Sequence, residues 1–332
     1  MRRVLILLTG GTLMMRPTGA TARGSSALGL EDRTRDLVAA LPMLTSIAEI
    51  ETRELFAMDS GDMQPADWLR LARHVHAAIS ERTHDGIVIV HGTDTMSYTA
   101  SALALLLGEL PIPVVLTGAQ RPLFEPRTDA RENLIDAVLV ATMDVPEVSV
   151  VFASRALRGV RSTKRDAWDY DAFDAPNCPP LVTLGVGATL APHVRRAGEL
   201  APFDERIEER VLAVRVFPGL DAELVRAASG RGVKGLVLEA YGTGNLPRSL
   251  ISALEHVHAS GVPMMIVSQC LRGFVELGRY AGGAAAEAAG AISGGDMTAE
   301  AAIAKLMIGL GRYGPTDALK DYLLRDVIGE RA

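Results

Sequence analysis

The stretch VLILLTGGT, Val4–Thr12, decides the reading of the fold. Five consecutive apolar residues, Val4–Leu8, predict a strand covered on both faces, as in a parallel sheet. The run ends abruptly on Thr9-Gly10-Gly11-Thr12. Two glycines allow a backbone turn closed to other residues, and that turn leaves Thr12 exposed at the end of the strand. Alone, TGGT reads more readily as a tight turn with a cap. It is not a nucleotide loop, because neither G-x-G-x-x-G nor the phosphate-binding G-x4-G-K-S/T is present.

The same design recurs outward. GIVIV (86–90), PVVLTG (113–118) and VSVVFAS (148–154) are further buried strands. Between them PADWLRLARHVHAAI (65–79) has helical spacing, with Pro65 in its first turn. TMSYTASALALLLG (95–108) is a helix closed by Gly108, and TDARENLIDAVLVAT (128–142) is a third. The stretch 185–210 is polar and less regular, with room for a strand or short helix of its own. The pattern then restarts with strands over 210–217, 233–241 and 262–269 and helices over 221–228 and 246–259. AGGAAAEAAGAISGG (281–295) is too apolar to stay solvated and predicts tight helix packing and turns. The expectation is two doubly wound α/β domains. A larger N-terminal parallel-sheet domain spans 1–190, a linker 191–210, and a smaller C-terminal domain 211–332.

Composition narrows the function. The 332 residues are 48% hydrophobic and 22% charged, with a net charge of -6, which argues against a nucleic-acid surface. The opening apolar run is too short for a secretory h-region, and no run is long enough to cross a membrane. Cys178 and Cys270 are too few for a disulfide framework or a zinc site. His74, His76, His256 and His258 sit on expected surface helices, and no histidine spacing suggests a metal. Cytoplasm is the expected compartment.

In open α/β sheets ligands bind beyond the carboxyl ends of the strands. Three polar clusters fall there: TGGT after the first strand, Met58-Asp59-Ser60-Gly61-Asp62 after the second, and His91-Gly92-Thr93-Asp94-Thr95 after the third, opening a helix. Thr93 or Asp94 could simply cap that helix. Three clusters on one rim instead suit a small zwitterion. The helix N-terminus favours a carboxylate, or Asp94 accepts from an ammonium, and Asp59 and Ser60 hold the remaining polar ends. A threonine nucleophile needs a base. Lys164, in the polar loop RSTKRDAWDYDAF after VSVVFAS, supplies one if it is partly desolvated, although a loop lysine is more often solvated.

Together with VVLTGAQ, RGVRSTKRDAWDYDAFDAPN, YGTGN and SQCLRGFVELGRYAGGAA, these motifs resemble the bacterial-type L-asparaginases, specifically their cytosolic type I branch. The resemblance runs in order along nearly the whole chain, and TGGT with HGTDT is its specific signature. It implies hydrolysis of the side-chain amide of asparagine, without cofactor or metal, in a homodimer or homotetramer whose active sites lie between subunits. Thr12 then corresponds to the acylated nucleophile. Thr93, Asp94 and Lys164 correspond to a second catalytic group in which lysine and aspartate polarise the Thr93 hydroxyl. Asp59, Ser60 and Gly61 match the stretch that holds the substrate's α-carboxylate and amine, and Asn245 corresponds to a residue reaching the neighbouring subunit's site. Main-chain N–H groups near Thr12 or Thr93 would stabilise the oxyanion.

Two departures stand out. The family carries a tyrosine in the loop after TGGT, and here MMRPTGATARGSSALG holds none. That loop, from Arg16 to Gly29 with Gly19, Gly24 and Gly29 as hinges, is expected to close over Thr12. The type I branch can also have an allosteric asparagine site with an arginine ahead of YG-x-GN. Cys270 of that site is kept, but the arginine position is Glu239, whose charge would repel a ligand carboxylate. Two rivals accompany the enzyme reading. One is the asparaginase-like subunit of an archaeal transfer-RNA amidotransferase, disfavoured because that subunit carries a domain before its TGGT. The other is a binding or regulatory protein of this fold with little turnover, suggested by the missing tyrosine.

Overall fold

In the computed structural model, residues 1–14, 37 and 39–332 are described. The expected closing loop Arg16–Gly29 lies outside them. The chain divides into two compact units, Met1–Phe203 and Asp204–Ala332.

The first unit is built on an eight-stranded sheet. Its strands are β1 (Arg3–Gly10), β2 (Glu49–Met58), β3 (Gly86–Val90), β4 (Val114–Thr117), β5 (Val148–Phe152), β6 (Arg155–Arg158), β9 (Val182–Leu184) and β10 (Ala188–Leu190), in the order β10-β9-β6-β5-β4-β3-β1-β2. In β1 the residues Val4, Ile6 and Leu8 enter one core cluster with Val88, Val90, Val115 and Leu134. Leu5 and Leu7, pointing the other way by the pleat, are equally buried. A strand covered on both faces has no polar alternation, which is why VLILL carries none.

β1 pairs in parallel with β2 on one side and β3 on the other, and β3-β4-β5 continue in parallel. The chain therefore steps outward from β1 to β2 and then back across β1 to β3, so strand order reverses between β1 and β3. That reversal opens a crevice at the carboxyl ends of these two strands, the place where doubly wound sheets bind ligands. Beyond β5 the sheet departs from the expected parallel pattern. Ala153 and Ser154, at φ 48° and 57°, form a tight left-handed turn that sends β6 back antiparallel to β5, and β9 and β10 extend that antiparallel side.

The helices follow their sequence signals. α1 is the single turn Leu44–Ile47. α2, Pro65–Glu81, starts with a reciprocal capping box between Gln64 and Asp67 and Pro65 at its first position. α3, Met96–Leu107, is buried along its whole length except at Tyr98 and ends on Gly108 at φ 68°. α4 spans Ala130–Ala141.

The second unit carries a four-stranded parallel sheet in sequential order: β11 (Val211–Arg215), β12 (Gly235–Ala240), β13 (Met264–Ser268) and β14 (Ala291–Ser293). Helices α5 (Ala222–Gly230), α6 (Arg248–Ala259), α7 (Ala281–Ala288), α8 (Ala299–Tyr313) and α9 (Asp317–Leu324) accompany it. The Ala/Gly-rich stretch forms α7 and β14, and Leu238, Leu250, Leu254 and Ile266 lie in the core. Residues 191–210 contain neither helix nor strand. Among the described residues no helix is long and apolar enough to cross a membrane.

Candidate active site

The crevice between β1 and β3 is floored by backbone packed on backbone. Gly10, at φ 111°, lies opposite Met58 in the β1–β2 register, and a Cβ there would fall 2.1 Å from the Met58 carbonyl oxygen. Gly11, at φ 86°, abuts the next turn, with a Cβ 2.6 Å from both Cα and N of Gly92. Both the torsions and the space admit only glycine. Gly92 in turn faces the Ser60 side chain, Gly11 N donates to Met58 O at 3.3 Å, and the Thr95 hydroxyl donates to Ser60 O at 2.8 Å. The three clusters that the sequence set at three strand ends are thus stacked into one rim. Thr12 is half-buried on a 3-10 turn, Thr12–Met14, directly after the glycines.

His91 supports this rim from beneath and is a residue the sequence reading did not single out. Its ring is buried. Nδ1 lies 2.7 Å from the Gly92 carbonyl and Nε2 3.0 Å from the Thr99 hydroxyl. A carbonyl only accepts, so Nδ1 carries the proton, and in the neutral ring Nε2 accepts from Thr99. Burial away from water holds the imidazole neutral, with a pKa lowered to about 4.

Above the rim, Lys164 joins the third cluster. It lies not in an irregular loop but in β7, Thr163–Lys164, a two-residue strand paired antiparallel with β8, Phe173–Asp174. Its ammonium donates to Thr93 Oγ1 at 2.8 Å and to Asp94 Oδ1 at 2.6 Å. Thr93 is 7% exposed and the Lys164 side chain 19%, whereas the Asp94 side chain is 70% exposed. The lysine–threonine contact is therefore shielded from water, and the carboxylate reaches it from the solvent side. The Thr93 hydroxyl in turn donates a hydrogen bond to Gln120 Oε1 at 3.2 Å. The Thr93 hydroxyl thus lies in a continuous hydrogen-bonded chain, with a cationic donor on one side and an amide acceptor on the other.

The remaining expected site residues divide between the two units. Ser60 is buried, and Asp59 is exposed and caps its own short turn by accepting from Gly61 N at 2.9 Å. Both sit on the rim with Gly61. Asn245 belongs to the second unit, in a tight bridge in which its N–H and carbonyl pair with Tyr241. Glu239, also in that unit, lies opposite Arg215 in the β11–β12 register and accepts from its guanidinium at 3.4 Å. Cys270 is exposed and free. Gln120 was quoted within VVLTGAQ but given no role. It could have been found by its place, since it follows β4 on the same rim by the strand-end rule that selected the other clusters.

Residues 3–195 match the family described as asparaginase, N-terminal, and residues 210–323 match the glutaminase/asparaginase C-terminal domain. The chain is 37% identical to an L-asparaginase of Thermococcus kodakarensis, over 99% of this chain and 98% of the relative. It is 38% identical to L-asparaginase 1 of Escherichia coli over 82% of each. The crystal structure of L-asparaginase I from Vibrio cholerae superposes with a TM-score of 0.89 at 34% identity, covering 100% of this chain and 99% of that one.

Proposed function

The chain belongs to the asparaginase family, and we propose that Thr12 is its nucleophile, with Thr93, Lys164 and Asp94 as the proton-transfer group beside it. The protein is an L-asparaginase, hydrolysing the side-chain amide of L-asparagine to L-aspartate and ammonia. The observation that carries the residue assignment is the pair of bonds from Lys164 to Thr93 and Asp94, on the rim formed by the Gly11–Gly92 packing.

In this reading Asp59, Ser60 and Gly61 hold the α-carboxylate and amine. Thr12 Oγ attacks the amide carbon, the amide nitrogen leaves as ammonia after gaining a proton, and water hydrolyses the acyl-threonine. Lys164 and Asp94 polarise the Thr93 hydroxyl for the accompanying proton transfers, and main-chain N–H groups near the two threonines stabilise the oxyanion. The active assembly is a homodimer or homotetramer, with Asn245 reaching a neighbouring subunit's site. The compartment is the cytoplasm, in keeping with two free cysteines. The alternative of a binding protein with little turnover, suggested by the missing loop tyrosine, is disfavoured by the 37% and 38% identity to named L-asparaginases over most of the chain. The test is ammonia release from asparagine by purified protein beside a Thr93→Ala control. Release that depends on Thr93 supports the reading, and its absence in the unmodified protein overturns it.

A further inference from the structure

We infer that Asp129 is a positioning residue that sets the placement of Thr12 and Thr93 through the loop 120–128. The inference rests on the assignment of those two threonines as the reacting pair. Asp129 stands at the N-cap position of α4, yet its side chain makes no cap bond to its own helix. Instead its carboxylate, in a residue only 7% exposed, accepts from Gln120 N at 2.9 and 3.1 Å, from Arg121 N at 3.1 Å and from Asn133 Nδ2 at 3.1 Å. A buried carboxylate is tolerated when N–H donors surround it, and the start of α4 adds a favourable dipole. Asn133 anchors the arrangement to the sheet, donating to Gly118 O and accepting from Ala153 N, both at 3.1 Å.

The loop so held touches both threonine turns. At its start, Gln120 Oε1 accepts a hydrogen bond from the Thr93 hydroxyl, while Gln120 Nε2 donates to Asp169 O at 3.2 Å. Three residues on, Leu123 N donates to Leu13 O at 3.0 Å, one residue past Thr12. Thr128 closes the loop by donating its hydroxyl to Arg121 O at 2.9 Å. With Lys164 donating to Thr93 Oγ1, the direction of the Thr93 proton is set by Gln120, and the position of Gln120 by Asp129. An amide in place of the carboxylate would turn an NH2 towards backbone N–H donors, so at least one of the loop bonds is lost.

The experiment measures kcat and KM for Asp129→Asn, Gln120→Met and the double variant, beside Thr93→Ala. A displacement of about 1 Å at reacting groups costs on the order of 100-fold in rate. The expected result is a fall in kcat of roughly 10- to 100-fold for each single variant, with KM little changed because Asp59–Gly61 lie off this loop. The double variant is expected to be no worse than the poorer single, because both act through the Gln120 carboxamide. Losses that multiply, or a near-normal kcat in folded Asp129→Asn, would overturn the inference. Gln120→Met leaves the loop backbone and its bonds to Asp129 intact, so it decides the matter if Asp129→Asn does not fold: near-normal kcat there also overturns it. Full activity in Thr93→Ala would instead overturn the assignment beneath it.

Discussion

Lys164 Nζ stands 2.8 Å from Thr93 Oγ1, although 71 residues separate the two in sequence. HGTDT marks Thr93, but nothing local marks Lys164 as its partner. They meet because β7 returns to the rim on which β3 ends, and Asp94 reaches the same ammonium from solvent.

If these three act as one proton-transfer unit, Thr93→Ala, Asp94→Ala and Lys164→Met should each lower kcat by about 10²–10⁴ while circular dichroism and melting stay near those of the parent. Double variants should cost little more than the singles, since groups acting together are not additive. Near-full activity in Lys164→Met would remove the lysine from the mechanism.

His91 gives a pH prediction. Its pKa is about 4 in the folded chain against 6.5 when unfolded, so the unfolded state binds the proton more readily. Its contribution to stability is complete above pH 6.5, declines as pH falls, and is gone near pH 4. It amounts to roughly 3 kcal/mol. Asp204 and Glu208, held near 2 chiefly by Arg206 and Arg210, lose their contributions lower, below about pH 4.5. Urea unfolding between pH 6.5 and 4.5 should therefore show a decline that His91→Asn lacks. An equal decline in that variant would assign it elsewhere.

In the second unit, Lys305 and Glu330 form a fully buried ion pair. Lys305 also donates to the carbonyls of Leu323 and Arg325, and Glu330 accepts from Val327 N and Ile328 N, so the pair ties the chain after α9 to α8. Glu330→Gln leaves a buried ammonium facing an amide and should cost about 3–5 kcal/mol. Lys305→Met combined with Glu330→Gln should cost less than the sum of the singles, as denaturant titration would show. Strict additivity would mean the two charges are not coupled.

Asparagine turnover should be hyperbolic, with a Hill coefficient near one. By the resemblance to the type I branch, Glu239 stands where an allosteric site would carry an arginine, and its charge is engaged by Arg215. Initial rates against substrate concentration decide this. Clear sigmoidality abolished by a Cys270 substitution would show that the effector site works despite the glutamate.

Much of the α/β pattern was legible because buried parallel strands advertise themselves. GIVIV is β3 residue for residue, and Pro65 and Gly108 mark the boundaries of α2 and α3. The turn from β5 to β6 was not legible: both central residues have positive φ, yet they are Ala153 and Ser154, not the Asn-Gly that announces such a hairpin. The candidate site divides in the same way. Position at strand ends exposed the TGGT and HGTDT clusters, but their contact depends on strand order, which reverses between β1 and β3. Lys164 was brought to Thr93 in the sequence reading only by family resemblance. Asp129 lies at the start of a helix that the sequence predicts, but its bonds to Gln120 and Arg121 depend on where the loop folds back.

The central claim is that Thr12 carries the acyl group. Mass spectrometry of the protein quenched during turnover of a slow amide, or after an electrophilic asparagine analogue, locates that group directly. The account predicts the label on the peptide containing Thr12, with none on the peptide containing Thr93. A label on Thr93 and none on Thr12 would contradict it.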